Sequence, residues 1–327
     1  MGHLFKTAIL AGLIRKSFKQ VRVSFFIQQD ASGIRWLKEK GFPVTVIPDS
    51  LGLAQEPIWI LEHLPESAET IIVTDILDVS KEYVESFRRN DCNVVTLENK
   101  SDSKHVSDLT FNALVEGLKH RVDKKGGSRI HIGSPHRVFH PDYLKWRNRK
   151  AKPGKQKKIL VSLGGGSDDG FSKILLRHLA ERLKNVSVVW IQGPAQEKLS
   201  FETSRDSINV AVRGPQDSLA RALAESDLAV TAGGGTLYEA AYLGVPAIAF
   251  SKRKHQEKNI RLFESAGTAL SAGSTTAASA GKAVRMISKL LSDPEKMRRM
   301  SNAGKKLCDG KGAGRIIHLI GSLLKGK

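Results

Sequence analysis

The sequence has few cysteines and no long apolar run, and each absence excludes a class of protein. Only two of its 327 residues are cysteine, Cys92 and Cys308, and they form no Cys-x-x-Cys pair, so a disulfide framework is excluded. The chain has no run of about 18 apolar residues, which excludes a membrane-spanning helix. These absences lead us to expect a cytoplasmic protein. The apolar run at 8–14 lacks the cleavage site of a signal peptide.

Aromatic residues make up only 6% of the chain, and they are not spaced like a base-stacking platform. The net charge of +19 is nevertheless high. It is local, because residues 119–158 have 14 Lys/Arg against 2 Asp/Glu and residues 282–327 have 12 against 3. Two basic stretches suit phosphate groups, anionic lipid or RNA, or simply keep the surface solvated. This distribution argues against a nucleic-acid partner and leaves open peripheral contact with an anionic membrane.

Strand-like and helical patterns alternate along most of the chain. Examples are the apolar runs at 70–74 and 159–163, each followed by a helical pattern. Such alternation predicts an α/β fold, with parallel sheets covered by helices on both faces. The basic segment 146–158 contains Pro153 and Gly154 and is predicted to be a linker. We therefore predict an N-terminal α/β domain at 1–145 and a C-terminal one at 159–327, facing a cleft.

Two glycine-rich loops are the best candidates for a ligand site. Gly164, Gly165, Gly166, Ser167 and Asp168 follow an apolar strand and precede a helix, where backbone N–H groups can approach a phosphate. The pattern is neither a Walker A loop nor a G-x-G-x-x-G loop. A tight strand-to-helix turn is the alternative.

The second loop is Gly233, Gly234, Gly235 and Thr236, with Glu239 three residues further on. Thr236 and Glu239 stand in the register of a helix capping box, which would explain both without a ligand. In the functional interpretation, the loop N–H groups bind a diphosphate and Glu239 binds sugar hydroxyls.

Three further polar residues are weaker candidates. Gln256 and Asn259 share one face of a predicted helix and could bind a sugar hydroxyl or a phosphate oxygen, or could be ordinary surface residues. His3 follows Gly2 at the start of a predicted helix over 4–18 and could act as a general base or acid.

Together these segments resemble a known family in order and spacing. It is the glycosyltransferase-B-type (GT-B) family that includes the UDP-sugar hydrolase of pseudaminic-acid biosynthesis (PseG) and the spore-coat polysaccharide protein SpsG, and more distantly the lipid-II N-acetylglucosaminyltransferase (MurG). The resemblance rests on the Gly-His opening, the strand ending in Asp75, the two glycine-rich loops with Gln256, and the segments 133–143 and 309–315.

The resemblance implies two Rossmann-like domains, with UDP held by the C-terminal one. It implies that His3 acts as general base on water or on an acceptor hydroxyl. It also implies that helix N-termini and loop N–H groups, rather than a metal, stabilise the departing UDP. No Asp-x-Asp motif follows a predicted strand, so we expect no metal and no cofactor.

Two departures from the family pattern bear on activity. The family has a first strand and a glycine-rich loop before its Gly-His pair, whereas this sequence opens on that pair. We therefore expect either that the true start lies upstream of Met1 or that the first domain lacks its first strand. The hydrolases have an aromatic hydroxyl two residues after the aspartate, where this chain has Leu77.

Three functions remain open from the sequence. The first is a UDP-sugar hydrolase that acts on a UDP-N-acetylamino sugar in surface-glycan or nonulosonic-acid biosynthesis. The second is a UDP-sugar-dependent glycosyltransferase that uses a carbohydrate or lipid-linked acceptor, with the basic stretches and the apolar face of helix 4–18 on a membrane. The third is an inactive nucleotide-sugar sensor or RNA-binding protein. We favour the hydrolase.

Overall fold

A computed structural model describes most of the chain. The described residues are 2–65, 69–114, 117, 119–125, 127–147, 156–166, 170–193, 196, 208–216 and 218–324. They fall into two compact units. Unit 1 comprises residues 1–140 and 310–327, and unit 2 comprises residues 141–309. The predicted linker lies mostly outside the described residues, since 148–155 are not among them.

Unit 1 alternates helices and strands, as the sequence predicts. Its elements in chain order are α1 (Gly2–Ser17), β1 (Phe25–Ile27), α2 (Ala31–Glu39), β2 (Val44–Val46), α3 (Glu56–Glu62), β3 (Ile71–Thr74), α4 (Lys81–Arg88), β4 (Asn93–Leu97), β5 (Leu109–Asn112), β6 (Arg121–Lys125) and β7 (Ser128–Ile132). A single helical turn, Ser134–His136, follows β7. The last helix of the unit comes from the far end of the chain, α12 (Gly312–Leu323).

The strands of unit 1 form two sheets. β1 pairs in parallel with β2, and the larger sheet has the order β3-β4-β5-β7-β6. All neighbours in the larger sheet are parallel except β6, which pairs antiparallel with β7 as a hairpin. The carboxyl ends of β3, β4 and β5 therefore meet at one edge of this sheet.

The apolar face of α1 lies inside unit 1. Leu10 and Ile14 pack with Ile316 and Ile320 of α12 and with the buried strands β4 and β5. This packing explains the apolar run at 8–14 as a core helix. It also corrects the expectation that the apolar face of helix 4–18 contacts a membrane, because that face is covered by protein.

No helix of the described part of the chain is long and apolar enough to cross a bilayer.

Unit 2 is a regular α/β unit with one sheet. Its elements are α5 (Pro141–Trp146), β8 (Lys157–Ser162), α6 (Phe171–Arg182), β9 (Val186–Ile191), β10 (Asn209–Arg213), α7 (Ala220–Ala224), β11 (Leu228–Ala232), α8 (Gly235–Leu243), β12 (Ala247–Ser251), α9 (Lys254–Ser265), β13 (Ala269–Ser274), α10 (Ala277–Leu291) and α11 (Pro294–Leu307). The six strands run in the order β10-β9-β8-β11-β12-β13, and every pair is parallel. The predicted α/β architecture with parallel sheets is confirmed in both units.

The central strands of unit 2 are buried on both faces, so their sequences are nearly continuous apolar runs. Ile159, Val161, Leu228 and Val230 are each at most 1% exposed. Burial of aliphatic side chains stabilises a fold by about 1.5–3 kcal/mol each before the entropic cost of ordering is subtracted. This rigid sheet fixes the positions of the loops that leave its edge.

Candidate functional site

The site follows from the strand order of unit 2. From β8 the chain proceeds to β9 on one side, and from β11 it proceeds to β12 on the other. The order therefore reverses between β8 and β11, which pair directly. In open α/β sheets, ligands bind outside the carboxyl ends of the strands at such a switch point. The two glycine-rich loops predicted from the sequence follow these two strands.

The first loop bends sharply where β8 ends. Gly164 has φ +84°, a left-handed conformation that glycine adopts without strain. A Cβ atom at Gly164 or Gly166 would meet no atom within 4 Å, so both backbones border open space. Ser167 and Asp168 lie outside the described residues. The loop thus presents backbone to the switch point, as a phosphate site requires.

The second loop packs on one side and is open on the other. A Cβ atom at Gly233 would stand 2.8 Å from Ile260 Cγ1 and 2.9 Å from the Gln256 carbonyl oxygen, so α9 needs glycine there to pack this closely. The neighbouring Gly234 would place a Cβ in open space. The switch point is therefore free of side-chain bulk beside Gly234.

Helix α8 begins directly after this loop without a side-chain cap. It starts at Gly235, its N-cap is Gly234, and no side-chain hydrogen bond caps it among the described residues. Thr236 is the second residue of the helix, so the predicted Thr236–Glu239 capping box is wrong. The physical reason is that the glycines let the helix start one residue before the threonine, so Thr236 is already helical. The first N–H groups of α8 can therefore bind an anion. Glu239 lies one turn further in and is partly exposed.

Gln256 and Asn259 both make hydrogen bonds within unit 2. Asn259 Nδ2 donates to the Gly233 carbonyl oxygen at 2.7 Å, and Gln256 Oε1 accepts from the Lys252 N–H at 2.8 Å. Both side chains are partly exposed on α9. They therefore hold the second glycine loop and the residue after β12 in place.

Lys252 is a site residue that sequence reasoning missed. Its Nζ donates to the Gly166 carbonyl oxygen at 3.0 Å, so it ties the end of β12 to the first glycine loop. The ammonium group adds positive charge next to the loop N–H groups. The signal in the sequence was a lysine one residue beyond the end of a buried strand.

Unit 1 has its own polar cluster at the carboxyl ends of β3 and β4. Lys6 Nζ of α1 lies 2.8 Å from Asp75 Oδ1, and both side chains are at most 10% exposed. Glu98 follows β4 with φ +56° and is 2% exposed. Its carboxylate accepts hydrogen bonds from the N–H groups of Ala113 and Leu114 at 3.3 and 2.9 Å.

Burial raises the pKa of the Glu98 carboxyl above its ordinary value, although the positive charges of Lys6 and Arg137 oppose the rise. A left-handed non-glycine residue with a perturbed carboxyl is typical of a functional position. The sequence gives no signal for a functional role of Glu98, because it shows only a glutamate directly after a predicted strand.

His3 lies in the first turn of α1, and only its backbone is described. Lys6 is one turn further along the same helix, on the same face by its spacing. The Lys6–Asp75 pair fixes this turn at the carboxyl end of β3.

Comparisons with known proteins identify the relatives of this chain. Residues 160–313 match the model of the Glycosyltransferase family 28 C-terminal domain. The chain is 24% identical to the spore coat polysaccharide biosynthesis protein SpsG of Bacillus subtilis, over 99% of this chain and 94% of that protein.

Two solved structures show the same fold over nearly their whole length. MurG of Acinetobacter baumannii superposes with a TM-score of 0.70 at 15% identity, covering 98% of this chain and 96% of that one. MnaA of S. aureus, solved with UDP, superposes with a TM-score of 0.66 at 16% identity, covering 99% and 94%. The resemblance to the GT-B proteins and the GT-B-type fold are therefore confirmed.

Proposed function

We propose that this chain, which has the GT-B-type fold and matches the Glycosyltransferase family 28 C-terminal domain over residues 160–313, releases UDP from a UDP-N-acetylamino sugar in polysaccharide biosynthesis. The observation that carries the proposal is the pair of open glycine loops on either side of the β8–β11 switch point, next to the uncapped start of α8. The pathway is suggested by the name of SpsG, and the nucleotide by the UDP in the MnaA structure.

The diphosphate of the nucleotide would bind the N–H groups of unit 2. Gly164–Gly166 would approach it from β8, and Gly234, Gly235 and Thr236 from β11. The partial positive charge at the start of α8 and the ammonium of Lys252 favour a doubly charged group. Glu239, one turn into α8, would accept hydrogen bonds from a pair of sugar or ribose hydroxyls.

The reaction breaks the bond between the anomeric carbon and the diphosphate oxygen. UDP leaves with the electron pair of this bond, and an oxygen nucleophile forms the new bond to the carbon. His3 would accept the proton of that nucleophile, a contribution worth about 10²–10⁴ in rate. The N–H groups around α8 would stabilise the charge that develops on UDP, as in other preorganised electrostatic sites.

Water is the nucleophile in our first proposal, which makes the protein a UDP-sugar hydrolase. Transfer to a carbohydrate or lipid-linked acceptor is the second, and two observations favour it. The match over 160–313 is to a glycosyltransferase domain, and Leu77 stands where the hydrolases have an aromatic hydroxyl.

A phosphorus NMR titration with UDP and a panel of UDP-N-acetylamino sugars, without acceptor, tests the proposal. Free UDP that accumulates in the presence of the protein, and not in its absence, supports hydrolysis. UDP resonances that broaden without turnover support a transferase, which then requires acceptor for turnover. Sharp, unshifted resonances for every nucleotide would overturn the proposal.

A further inference from the structure

Three histidines come together within unit 1. His120 precedes β6, His131 is on β7, and His136 is in the helical turn after β7. One ring nitrogen of each lies within 4.8 Å of the other two. The β6–β7 hairpin creates this arrangement, because its antiparallel register returns the chain from His120 to His131.

The ring positions suit a shared metal ion. The centroids of His120 and His136 are 5.4 Å apart, and those of His131 and His136 are 5.1 Å apart. With Zn–N bonds of about 2.0–2.1 Å, the ring centroids of two tetrahedral histidine ligands lie roughly 5 Å apart. For the same geometry, the ligating nitrogens, which now lie within 4.8 Å of one another, must approach to about 3.4 Å. His120 is exposed and is the ligand with room to make this adjustment.

One of the two buried histidines, His131, has a ring nitrogen without a hydrogen-bond partner among the described residues. His131 is 8% exposed, and its Nε2 atom has no hydrogen-bond partner among the described residues. Its ring stacks on Phe111, with centroids 5.2 Å apart, which holds the imidazole in one orientation. A buried nitrogen without a partner costs about 1–3 kcal/mol, and a metal ion would remove this cost.

A cavity of about 570 Å³ opens beside the three rings. Its other wall comes from α12 and the residue before it, and it includes Lys311, Arg315 and His318. Arg315 Nη1 donates to the Pro135 carbonyl oxygen at 2.9 Å, which ties α12 to the turn that contains His136. Two cations on this wall would attract an anion to an open coordination position of a bound metal.

We propose that His120, His131 and His136 bind a divalent transition-metal ion of the zinc class, with a fourth position open to water or to a small anion in the cavity. Imidazole nitrogens are ligands suited to zinc, and three histidines with one open position are an established zinc coordination. The metal would join the β6–β7 hairpin to the following turn. This site shares no residue with the proposed nucleotide site, and neither proposal depends on the other.

An anion bound directly by the histidines and Lys311 is the competing occupant. Titration of the metal-free protein with inorganic phosphate, with Lys311→Ala as the variant, distinguishes the two occupants.

Titration of EDTA-treated, dialysed protein with Co²⁺ tests the proposal, followed by competition with Zn²⁺. We expect about one equivalent of Co²⁺ with the visible absorption of a tetrahedral site, bleached by Zn²⁺. His131→Ala should weaken binding by more than the roughly 10–100-fold that loss of an outer-shell partner costs. His120→Ala should do the same, and because His120 is exposed this variant should keep the fold. Far-UV circular dichroism without metal checks the fold of both.

The matched control is His318→Ala, which removes a histidine from the same cavity but not from the triad. Its Co²⁺ affinity should equal that of the unmodified protein. Equal affinity in His120→Ala would overturn the proposal. Broadening of the inorganic phosphate ³¹P resonance by metal-free protein, lost in Lys311→Ala and accompanied by no Co²⁺ uptake, would also overturn it in favour of an anion site.

Discussion

The ammonium of Lys6 lies 2.8 Å from Asp75 Oδ1, and neither side chain is more than 10% exposed. Their separation in sequence is 69 residues, so the pair fastens the start of the chain to the edge of the larger sheet. It thereby locates the first turn of α1, with the backbone of His3, beside the end of β3.

Breaking this pair should destabilise unit 1. Lys6→Met leaves the Asp75 carboxylate buried without its ammonium partner, which should cost about 3–5 kcal/mol of unfolding free energy. The double variant Lys6→Met/Asp75→Asn removes both charges and should lose less than the sum of the single variants. Urea denaturation of the four proteins measures the coupling. Additive losses would mean that the two charges do not depend on each other.

His3→Ala should abolish turnover of the UDP-sugar and leave UDP affinity unchanged. The expected loss in kcat is about 10²–10⁴-fold, the usual contribution of a general base. Steady-state kinetics and calorimetric UDP binding give the two values. His63→Ala is the control, since His63 is an exposed residue whose Nδ1 lies 2.8 Å from the Trp59 carbonyl oxygen at the end of α3. Full activity in His3→Ala would remove His3 from the mechanism.

The adjacent glycines Gly233 and Gly234 should respond differently to substitution. Gly233→Ala places its Cβ against Ile260 and Gln256, so it should lower the unfolding free energy by about 1–3 kcal/mol. Gly234→Ser should leave stability unchanged within a few tenths of a kcal/mol, because serine is a good N-cap. Its hydroxyl would occupy the N–H groups proposed for the diphosphate, so UDP should bind about tenfold more weakly, or ~1.4 kcal/mol.

Thermal unfolding and UDP titration of the two glycine variants check both effects. If Gly234→Ser bound UDP as tightly as the unmodified protein, the start of α8 would not be the diphosphate site.

Glu239→Ala should weaken UDP-sugar binding by about 10–100-fold, since hydrogen bonds to a charged group contribute about 1.5–3 kcal/mol. The variant should remain folded, because among the described residues the start of α8 has no side-chain cap that the substitution would remove. Calorimetry of UDP-sugar binding measures the loss. Glu239→Gln retains a hydrogen-bond acceptor, so its affinity should lie between those of the unmodified protein and Glu239→Ala. An unaltered affinity in Glu239→Ala would exclude contact between Glu239 and the ligand.

Glu98 should make the stability of unit 1 depend on pH. Burial raises the pKa of its carboxyl in the folded protein above the ordinary value of 4.5, so the folded state favours the protonated form. Its stabilising contribution is therefore complete below that value and is lost as pH rises through the raised pKa. Glu98→Gln mimics the protonated side chain at every pH.

The melting temperature of the unmodified protein relative to Glu98→Gln should fall as pH rises from the ordinary glutamate pKa. Differential scanning calorimetry across this range measures the difference. A difference that is constant with pH would show that the carboxyl does not titrate in this window.

The sequence predicts most elements of the fold because their patterns are local. The sequence pattern predicts a strand at 93–97 and a helix at 235–243, and the structure has both with these bounds. The pattern at 21–27 also predicts a strand, but only Phe25–Ile27 forms one, since Val21 and Val23 instead pack beside α1. β6 was missed because its charged sequence, Arg121–Lys125, has no apolar alternation and lies at the sheet edge. β13 was missed because Ala269–Ser274 consists mostly of small residues.

The candidate site was predicted in part. Both glycine loops follow parallel strands, so their placement at one sheet edge could be inferred from the sequence. The roles of Asn259, Lys252 and Glu98 could not, because each depends on a contact with a residue distant in sequence. The histidine cluster is a further case. The sequence contains a His-x-x-x-His spacing at His136 and His140, yet the structure groups His136 with His120 and His131 through the hairpin.

Helix α12 has a consequence for how the protein is made. Ile316 and Ile320, which follow unit 2 in the chain, pack in one core with Leu10 and Ile14, which precede unit 2. Unit 1 therefore cannot close its core until synthesis has passed through all of unit 2. In contrast, unit 2 is continuous in sequence and can fold as soon as it emerges. The apolar surface of unit 1 that α12 covers thus stays exposed, and available to chaperones, until unit 2 has been translated.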